Sequence, residues 1–137
     1  MNIEILLRAL TDRWRDENIQ LLPPASAEDV ADFEAKYHVT CPEDFAAYLT
    51  TLGGMPTGVM DDQMFHFSPI GEIGPRDSAA DVFVFADFLI CSHDYGVCLN
   101  GTEYGHVFLL GGVVAQQVAP TFTEFVDRYL HNNSSLF

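Results

Sequence analysis

Cationic side chains are scarce in this sequence. Its 137 residues include only 6 lysines and arginines against 20 aspartates and glutamates, and the formal net charge at pH 7 is −14. Such a chain repels phosphate groups over a long range, which argues against direct binding to nucleic acid. A basic protein is the natural complement of this charge, although the acidity can also serve solubility alone.

Cysteines are also few. Cys41, Cys91 and Cys98 are odd in number and form no C-x-x-C pair, so neither a disulfide framework nor a zinc knuckle is indicated. Such cysteine usage fits a reducing compartment, and we expect a cytoplasmic protein. The first residues mix charges with apolar side chains and lack the basic-then-apolar order of a signal peptide.

The sequence lacks a convincing membrane span and the common catalytic motifs. An uncharged stretch at 105–123 is long enough to cross a bilayer, but Gly111 and Gly112 divide it into two short β-rich runs, which indicates a hairpin. The P-loop, G-x-S-x-G, H-E-x-x-H and G-x-G-x-x-G patterns do not occur. We therefore expect no membrane span and no cofactor.

The first third of the chain has the pattern of helices. Apolar residues recur at helical spacing from the N-terminus, which predicts a helix up to about Asn18. Ser26 begins a second helix with a capping box. Pro42 suits the first position of a third helix, and Gly53 and Gly54 suit its end.

The middle of the chain changes to strand-forming sequence. An alternating run at 64–70 predicts an early strand, and the apolar run 82–91 predicts a strand in the middle of a sheet. Residues 95–100 and the two hairpin arms are further strands, and Thr121 begins a C-terminal helix. No helical crossovers separate the strands. We therefore predict a single α+β domain, residues 1–137, with N-terminal helices, a central, mainly antiparallel sheet and a C-terminal helix.

Candidate catalytic residues follow the predicted central strand. His93 and Asp94 are residue types of an acid–base pair, and Cys91 is a conceivable nucleophile. Adjacent residues on an extended chain point to opposite sides, so a turn with local hydrogen bonds is the competing interpretation. Asp87, inside the apolar run, is either a functional carboxylate or the sign of a bulge or an edge position.

A metal site is a further possibility in the same part of the chain. Cys91, His93, Cys98 and His106 carry the ligand types that zinc prefers, but they follow no familiar spacing. Free cysteines in an apolar strand are commonly buried core residues. We expect no metal site.

The least regular segment, residues 55–81, combines acids with methionines and glycines. Flexible thioethers beside carboxylates can form an adaptable contact surface, or the methionines can cover the sheet edge. The candidate partner-binding acids in this segment are Asp61, Asp62, Glu72, Asp77 and Asp81.

Three stretches give the chain a resemblance to a known family. They are LPPASAEDVADFEAKYHVTCPEDFAAYLTTLGG at 22–54, FADFLICSHDYGVCLN at 85–100 and VAPTFTEFVDRYL at 118–130. In this order and spacing they resemble the Knr4/Smi1-like domain, also called the SUKH superfamily. The resemblance implies an α+β fold with helices around a central sheet, and no enzymatic activity. It carries over no catalytic or binding residue.

Bacterial members of that superfamily are associated mainly with immunity proteins that neutralise polymorphic toxins, many of them nucleases. The resemblance therefore favours a bacterial binding module that inhibits a toxin by direct contact, with a basic toxin domain as the expected partner. A homodimeric regulatory or scaffold protein without a toxin is the second hypothesis. An enzyme that uses His93 or Asp87 is the third.

Overall fold

The computed structural model describes residues 2–76, 79–90, 92–111 and 115–136. Within these residues the chain is α+β, as predicted, with four α-helices and a six-stranded sheet. The helices are α1 (Ile3–Asp16), α2 (Ala27–Tyr37), α3 (Glu43–Thr51) and α4 (Phe122–Leu130). The strands are β1 (Phe65–Phe67), β2 (Gly74–Arg76), β3 (Ala79–Phe88), β4 (His93–Cys98), β5 (Val107–Leu110) and β6 (Gln116–Ala119).

The sheet is antiparallel throughout the described residues. Its main strand order is β1-β3-β4-β5-β6, and β2 pairs with β3 beside β1. The apolar run at 82–91 does form the interior strand, but that strand ends at Phe88. The next strand begins at His93, two residues before the predicted start. The two hairpin arms pair as β5 and β6, while residues 112–114 of their connection lie outside the described residues.

Two helix starts show how far the capping patterns hold. The Ser26 hydroxyl accepts a bond from the Asp29 N–H at 3.0 Å, and the Asp29 carboxylate accepts from the Ser26 N–H at 2.9 Å, so the predicted capping box is confirmed. At α4 the Thr121 hydroxyl accepts from the Glu124 N–H at 3.0 Å. The Glu124 carboxylate pairs with Arg128 at 3.2 Å.

Helix α3 ends just before Gly53 and Gly54, and Gly54 has the predicted left-handed conformation with φ of 85°, but the two glycines also allow a close backbone contact. Helix α3 ends at Thr51, and its C-cap Leu52 is extended. A Cβ at Gly53 would lie only 2.0 Å from the Leu22 carbonyl oxygen, and the Gly54 carbonyl accepts from the Leu22 N–H at 2.9 Å. The glycines therefore let the segment that leads to α2 pass directly against the chain leaving α3.

Gly53→Ala is expected to destabilise the fold by at least about 2 kcal/mol, because the new methyl group meets main-chain atoms that cannot move aside. Urea unfolding followed by circular dichroism measures this. Gly71→Ala is the control, since a Cβ there meets nothing within 4 Å, and it should cost less than about 0.5 kcal/mol. Equal losses in the two variants would contradict the close-packing role.

All four helices cover one face of the sheet. One continuous hydrophobic core joins residues from every helix to strand residues. Its largest fully buried side chains are Trp14, Tyr48, Tyr95, Tyr129, Phe45, Phe65, Phe67, Phe85, Phe122 and Phe125. A second, small cluster contains only strand residues, Val82, Cys98 and Phe108 with Leu110 beside them. The strand alternation places it on the other face, which we call the outer face of the sheet.

A buried polar chain crosses the core between α1, α4 and the loop before β1. The Trp14 Nε1–H donates to the Tyr129 hydroxyl at 3.0 Å, and that hydroxyl donates to Oδ2 of Asp61. Oδ1 of Asp61 accepts from the backbone N–H groups of Gln63 and Phe65 at 2.8 and 2.9 Å. Burial, the first cause, and then the neighbouring carboxylate raise the pKa of Tyr129, so its hydroxyl remains a donor at neutral pH.

Tyr129→Phe should cost about 2–3 kcal/mol, because it leaves a buried carboxylate oxygen and an indole N–H without their common partner. The free energy of unfolding in urea provides the measurement. Tyr104→Phe is the matched control, since its hydroxyl donates to the Thr40 carbonyl from an exposed side chain. A Tyr129→Phe variant as stable as the control would contradict the assigned role.

Candidate functional site

Asp61, the first of the five predicted partner-binding acids, is only 6% exposed. Its two carboxylate oxygens accept the bonds from Gln63, Phe65 and Tyr129 described above. A side chain so enclosed holds the loop in place and offers a partner no direct contact. We therefore assign Asp61 a structural role and remove it from the set of contact candidates.

The other predicted acids do not form one cluster. Asp62 is exposed, and its backbone N–H donates to Glu17 at 2.7 Å. Glu72 is exposed at the end of a 3₁₀ turn, Ile70–Glu72. Asp81 is exposed near the start of β3, where it lines a cavity together with Cys98. Asp77 lies outside the described residues.

A row of polar side chains crosses the outer face of the sheet. His66 on β1 lies opposite Asp87 on β3, and Asp87 lies opposite Asp94 on β4. Like charges directly opposite each other in a sheet are destabilising. Arg76 of β2 reaches this row, with its Nε 3.5 Å from Oδ2 of Asp94. The outer face therefore keeps two adjacent carboxylates, one of which is paired with Arg76.

A β-bulge turns Asp87 to the outer face. Val84 pairs with Gly96 and Ala86 with Tyr95, so Phe85 is the extra residue. Both Phe85 and Ala86 are completely buried in the main core. Strict alternation from Val82 would have directed Asp87 into that core. The bulge, one of the two positions suggested by the sequence, thus removes the cost of burying the Asp87 carboxylate there.

The protonation of Asp94 reflects this arrangement. Burial is the largest cause that raises the pKa of Asp94 above its ordinary value, and the Asp87 carboxylate raises it further. The Arg76 guanidinium opposes both effects by charge and by hydrogen bonding, but it does not offset them. Ionised Asp94 is therefore held in the folded protein at a cost in stability.

A cavity of about 390 Å³ opens beside the same row. Its lining residues come from the loop before β1 and from β1, β3, the 3₁₀ turn and the β3–β4 turn. They are Thr57, Gly58, Val59, Met60, His66, Glu72, Asp87 and Ile90. The His66 Nδ1–H donates to the Val59 carbonyl at 2.7 Å, because a carbonyl can only accept. This bond fixes the loop against β1 and keeps one wall of the cavity in place.

Exposed apolar side chains adjoin the cavity at the β3–β4 turn. Ile90 is 71% exposed, Leu89 40% and Met64 37%. The Leu89 N–H donates to the Met64 carbonyl at 3.1 Å, so the three residues lie together. All three have positive φ: 53° at Ile90, 54° at Leu89 and 72° at Met64. We call Met64, Leu89 and Ile90 the apolar tip.

The backbone of the apolar tip is strained. Left-handed conformations cost non-glycine residues of the order of 1–3 kcal/mol, and a β-branched residue such as Ile90 is a clear outlier. Strain of this kind is concentrated at functional sites because the surrounding structure must enforce it. The tip accounts for three of the five large hydrophobic side chains that are exposed within the described residues. This combination makes it a candidate contact surface.

Within the described residues, His93 and Asp94 do not face a common site. They are the first residues of β4, after the turn residues 89, 90 and 92. His93 pairs with Phe88 and packs against its ring, with the centroids 5.9 Å apart, whereas Asp94 faces Arg76. Neighbouring strand positions direct the two side chains to opposite faces. Cys91 lies outside the described residues.

Of the four residues considered for a metal site, His93 and Cys98 lie on the interior strand β4, His106 directly precedes β5, and Cys91 lies outside the described residues. Cys98 is buried, and its Sγ–H donates to the Asn100 carbonyl at 3.0 Å. Burial is the first cause that raises the pKa of the Cys98 thiol. Among the described residues, no three His, Cys, Asp or Glu side chains are placed to share a metal ion. None of the helices in the described residues is long and apolar enough to cross a bilayer.

Asp94→Asn is expected to leave the protein at least as stable at pH 7, with a gain of up to about 1 kcal/mol, because it removes a charge whose burial, together with its position opposite Asp87, outweighs its attraction to Arg76. The raised pKa means that the cost is absent below the ordinary value of 3.8 and develops as the pH rises through the folded-state pKa. Urea unfolding at several pH values measures this. Asp81→Asn is the exposed control. A loss at pH 7 in Asp94→Asn alone would contradict the assignment.

Comparisons with known proteins give one positive result. No curated protein matches the chain. The sequence profile of the SMI1/KNR4 family (SUKH-1) matches residues 24–128, which include α2, α3, all six strands and most of α4. Its members are generally non-catalytic binding modules and include immunity proteins. Since the match covers most of the chain, this protein belongs to the SMI1/KNR4 family (SUKH-1).

Proposed function

We propose that this protein is a non-enzymatic immunity protein that neutralises a basic toxin by direct contact in the cytoplasm. The observation that carries the proposal is the outer face of the sheet. It combines a strained, exposed apolar tip with carboxylates that are kept in opposed positions at a cost in stability. The family supports it, because SUKH-1 members include immunity proteins.

The distribution of charge also supports a basic partner. Five of the six cations lie on helices, and Arg76 lies on β2. Arg76 is therefore the one lysine or arginine on a described strand. A net charge of −14 steers a basic protein toward the outer face and raises its association rate at low salt. Inhibition of a toxin benefits from fast association.

The apolar tip supplies binding affinity, which long-range charge attraction alone does not provide. Long-range attraction mainly speeds encounter, whereas most affinity in protein complexes comes from a few desolvated anchors at the centre of the interface. Ile90 and Leu89 are large and already exposed, so a partner can bury them without rearranging the fold. In this proposal the exposed acids Asp62, Glu72 and Asp81, which lie apart from one another, form an acidic rim, and Asp77 stays a prediction for the same rim.

The test is co-expression with the toxin encoded next to this gene, followed by affinity capture at low and high salt. We expect protection of the host and a complex whose association rate falls as salt rises. Variant Asp62→Asn/Glu72→Gln/Asp81→Asn should slow association by about tenfold or more at low salt, because it removes three rim charges. Surface plasmon resonance gives the rates.

A control variant with the same change in net charge distinguishes the effect of the rim acids from the effect of the total charge of the protein. Asp16→Asn/Glu28→Gln/Asp32→Asn removes three exposed acids from α1 and α2, on the helical side of the molecule. It should slow association much less. Equal effects of the two triple variants would reject the rim as a contact surface, and absence of both complex and protection would reject the immunity function.

The exposed apolar tip also favours a second candidate function, a homodimeric regulatory or scaffold protein without a toxin. Such a protein would associate through Leu89 and Ile90, and its association would be insensitive to salt. Sedimentation of the purified protein at two salt concentrations distinguishes the two functions. A dimer at both concentrations that Ile90→Ser dissociates would favour the second.

A further inference from the structure

The cavity beside the polar row has the lining expected for one particular kind of guest. We propose that it receives a single arginine side chain of the protein partner. The inference rests on the proposed function, because it names the chemical group by which a basic partner would be held. It assigns the cavity to the partner rather than to a small-molecule substrate.

The walls of the cavity match the stem of an arginine. Val59 and Met60 of the loop before β1 and Ile90 of the β3–β4 turn provide apolar surface from two separate segments. Arginine buries its methylene groups along such surface while its charged end remains hydrogen-bonded. Met60 has a flexible thioether that adapts to the shape of its neighbour. The volume of about 390 Å³ lies at the small end for a ligand site, which suits a side chain better than a whole cofactor.

The polar groups of the cavity match the guanidinium. Glu72 and Asp87 both line it, and arginine presents five donors that carboxylates accept with good geometry. Asp94, which lies opposite Asp87 on β4, adds to the negative potential beside the cavity. Lysine and arginine are absent from the described lining, so an anionic guest would face two carboxylates without a lysine or arginine to pair with.

The protein already shows a guanidinium against this face. The Arg76 Nε lies 3.5 Å from Oδ2 of Asp94. The Arg76 side chain is about half exposed, so water and salt screen this ion pair. A partner's arginine entering the cavity would be more enclosed and would face a different pair of acids, Glu72 and Asp87. Desolvation there strengthens the attraction between the opposite charges.

The cavity edge joins the apolar tip through Ile90. This residue lines the cavity and is also the most exposed member of the tip. A partner that buries Ile90 would therefore close the cavity opening over its own arginine. The two features form one contact surface, in which the apolar contact excludes water and the charge contact sets specificity.

The test uses the purified protein with ¹³C-labelled methionine methyl groups. Acetyl-arginine amide is the probe, and acetyl-citrulline amide, nearly the same shape but neutral, is its control. The Met60 methyl signal should shift on addition of the arginine compound and respond at least fivefold less to citrulline. Met55 is completely buried and serves as an internal reference for an intact fold.

Glu72→Gln/Asp87→Asn should reduce the arginine-induced shift at Met60 by at least fivefold while leaving the Met55 signal in place. Glu28→Gln/Asp32→Asn makes the same change in net charge at exposed positions of α2 and should bind the probe as the natural protein does. Equal shifts with arginine and citrulline would overturn the inference in favour of a neutral guest. No shift at Met60 with either compound would overturn it as well.

A second arm separates this inference from the proposed function. If a toxin complex forms and Glu72→Gln/Asp87→Asn weakens it no more than Glu28→Gln/Asp32→Asn does, the arginine inference is wrong while the immunity function stands. If no toxin binds and no protection occurs, yet Met60 still responds to arginine and not to citrulline, the immunity function is wrong. The charge selectivity of the cavity is then supported by the probe itself.

Discussion

The hydrogen-bond chain from Trp14 through Tyr129 to Asp61 is the interaction on which the candidate site most depends. It ties α1 and α4 to the loop that leads into β1. Arg13 reinforces this hydrogen-bond chain. Its guanidinium lies 4.5 Å from the centre of the Tyr129 ring and donates a hydrogen bond to the Tyr129 carbonyl. A buried carboxylate needs all of its partners, so these elements have little freedom to move separately. The rigid loop in turn holds Met64 against Leu89.

The sheet shows a division of labour between its two faces. The helices and a dense set of aromatic side chains cover one face and supply most of the apolar burial that stabilises the fold. That stability lets the outer face carry features that work against folding, namely opposed carboxylates and left-handed bulky residues. A binding module benefits from such an arrangement, because the contact surface can be chosen for the partner while the core maintains the structure.

Much of the fold was predictable from local patterns. The capping box at Ser26, the Gly-Gly hairpin and the apolar stripe of α4 each depend on residues close in the chain. The missed details concern the meaning of individual residues. Gly53 fits a helix end by type, but it also allows a close contact with Leu22, thirty-one positions earlier in the chain. Asp61 looks like any surface acid until Tyr129 is placed beside it.

The candidate site was the least predictable part, and the reasons are physical. The sequence by itself determined the element types, the family, the acidity and the scarcity of cations, because composition and short-range periodicity encode them. Tertiary structure alone decided that a bulge at Phe85 turns Asp87 outward, and that Leu89 and Ile90 form a strained tip instead of extending a strand. It also decided that Glu72 shares a cavity with Asp87. Those outcomes depend on strand register and on packing between distant segments, which no local pattern records.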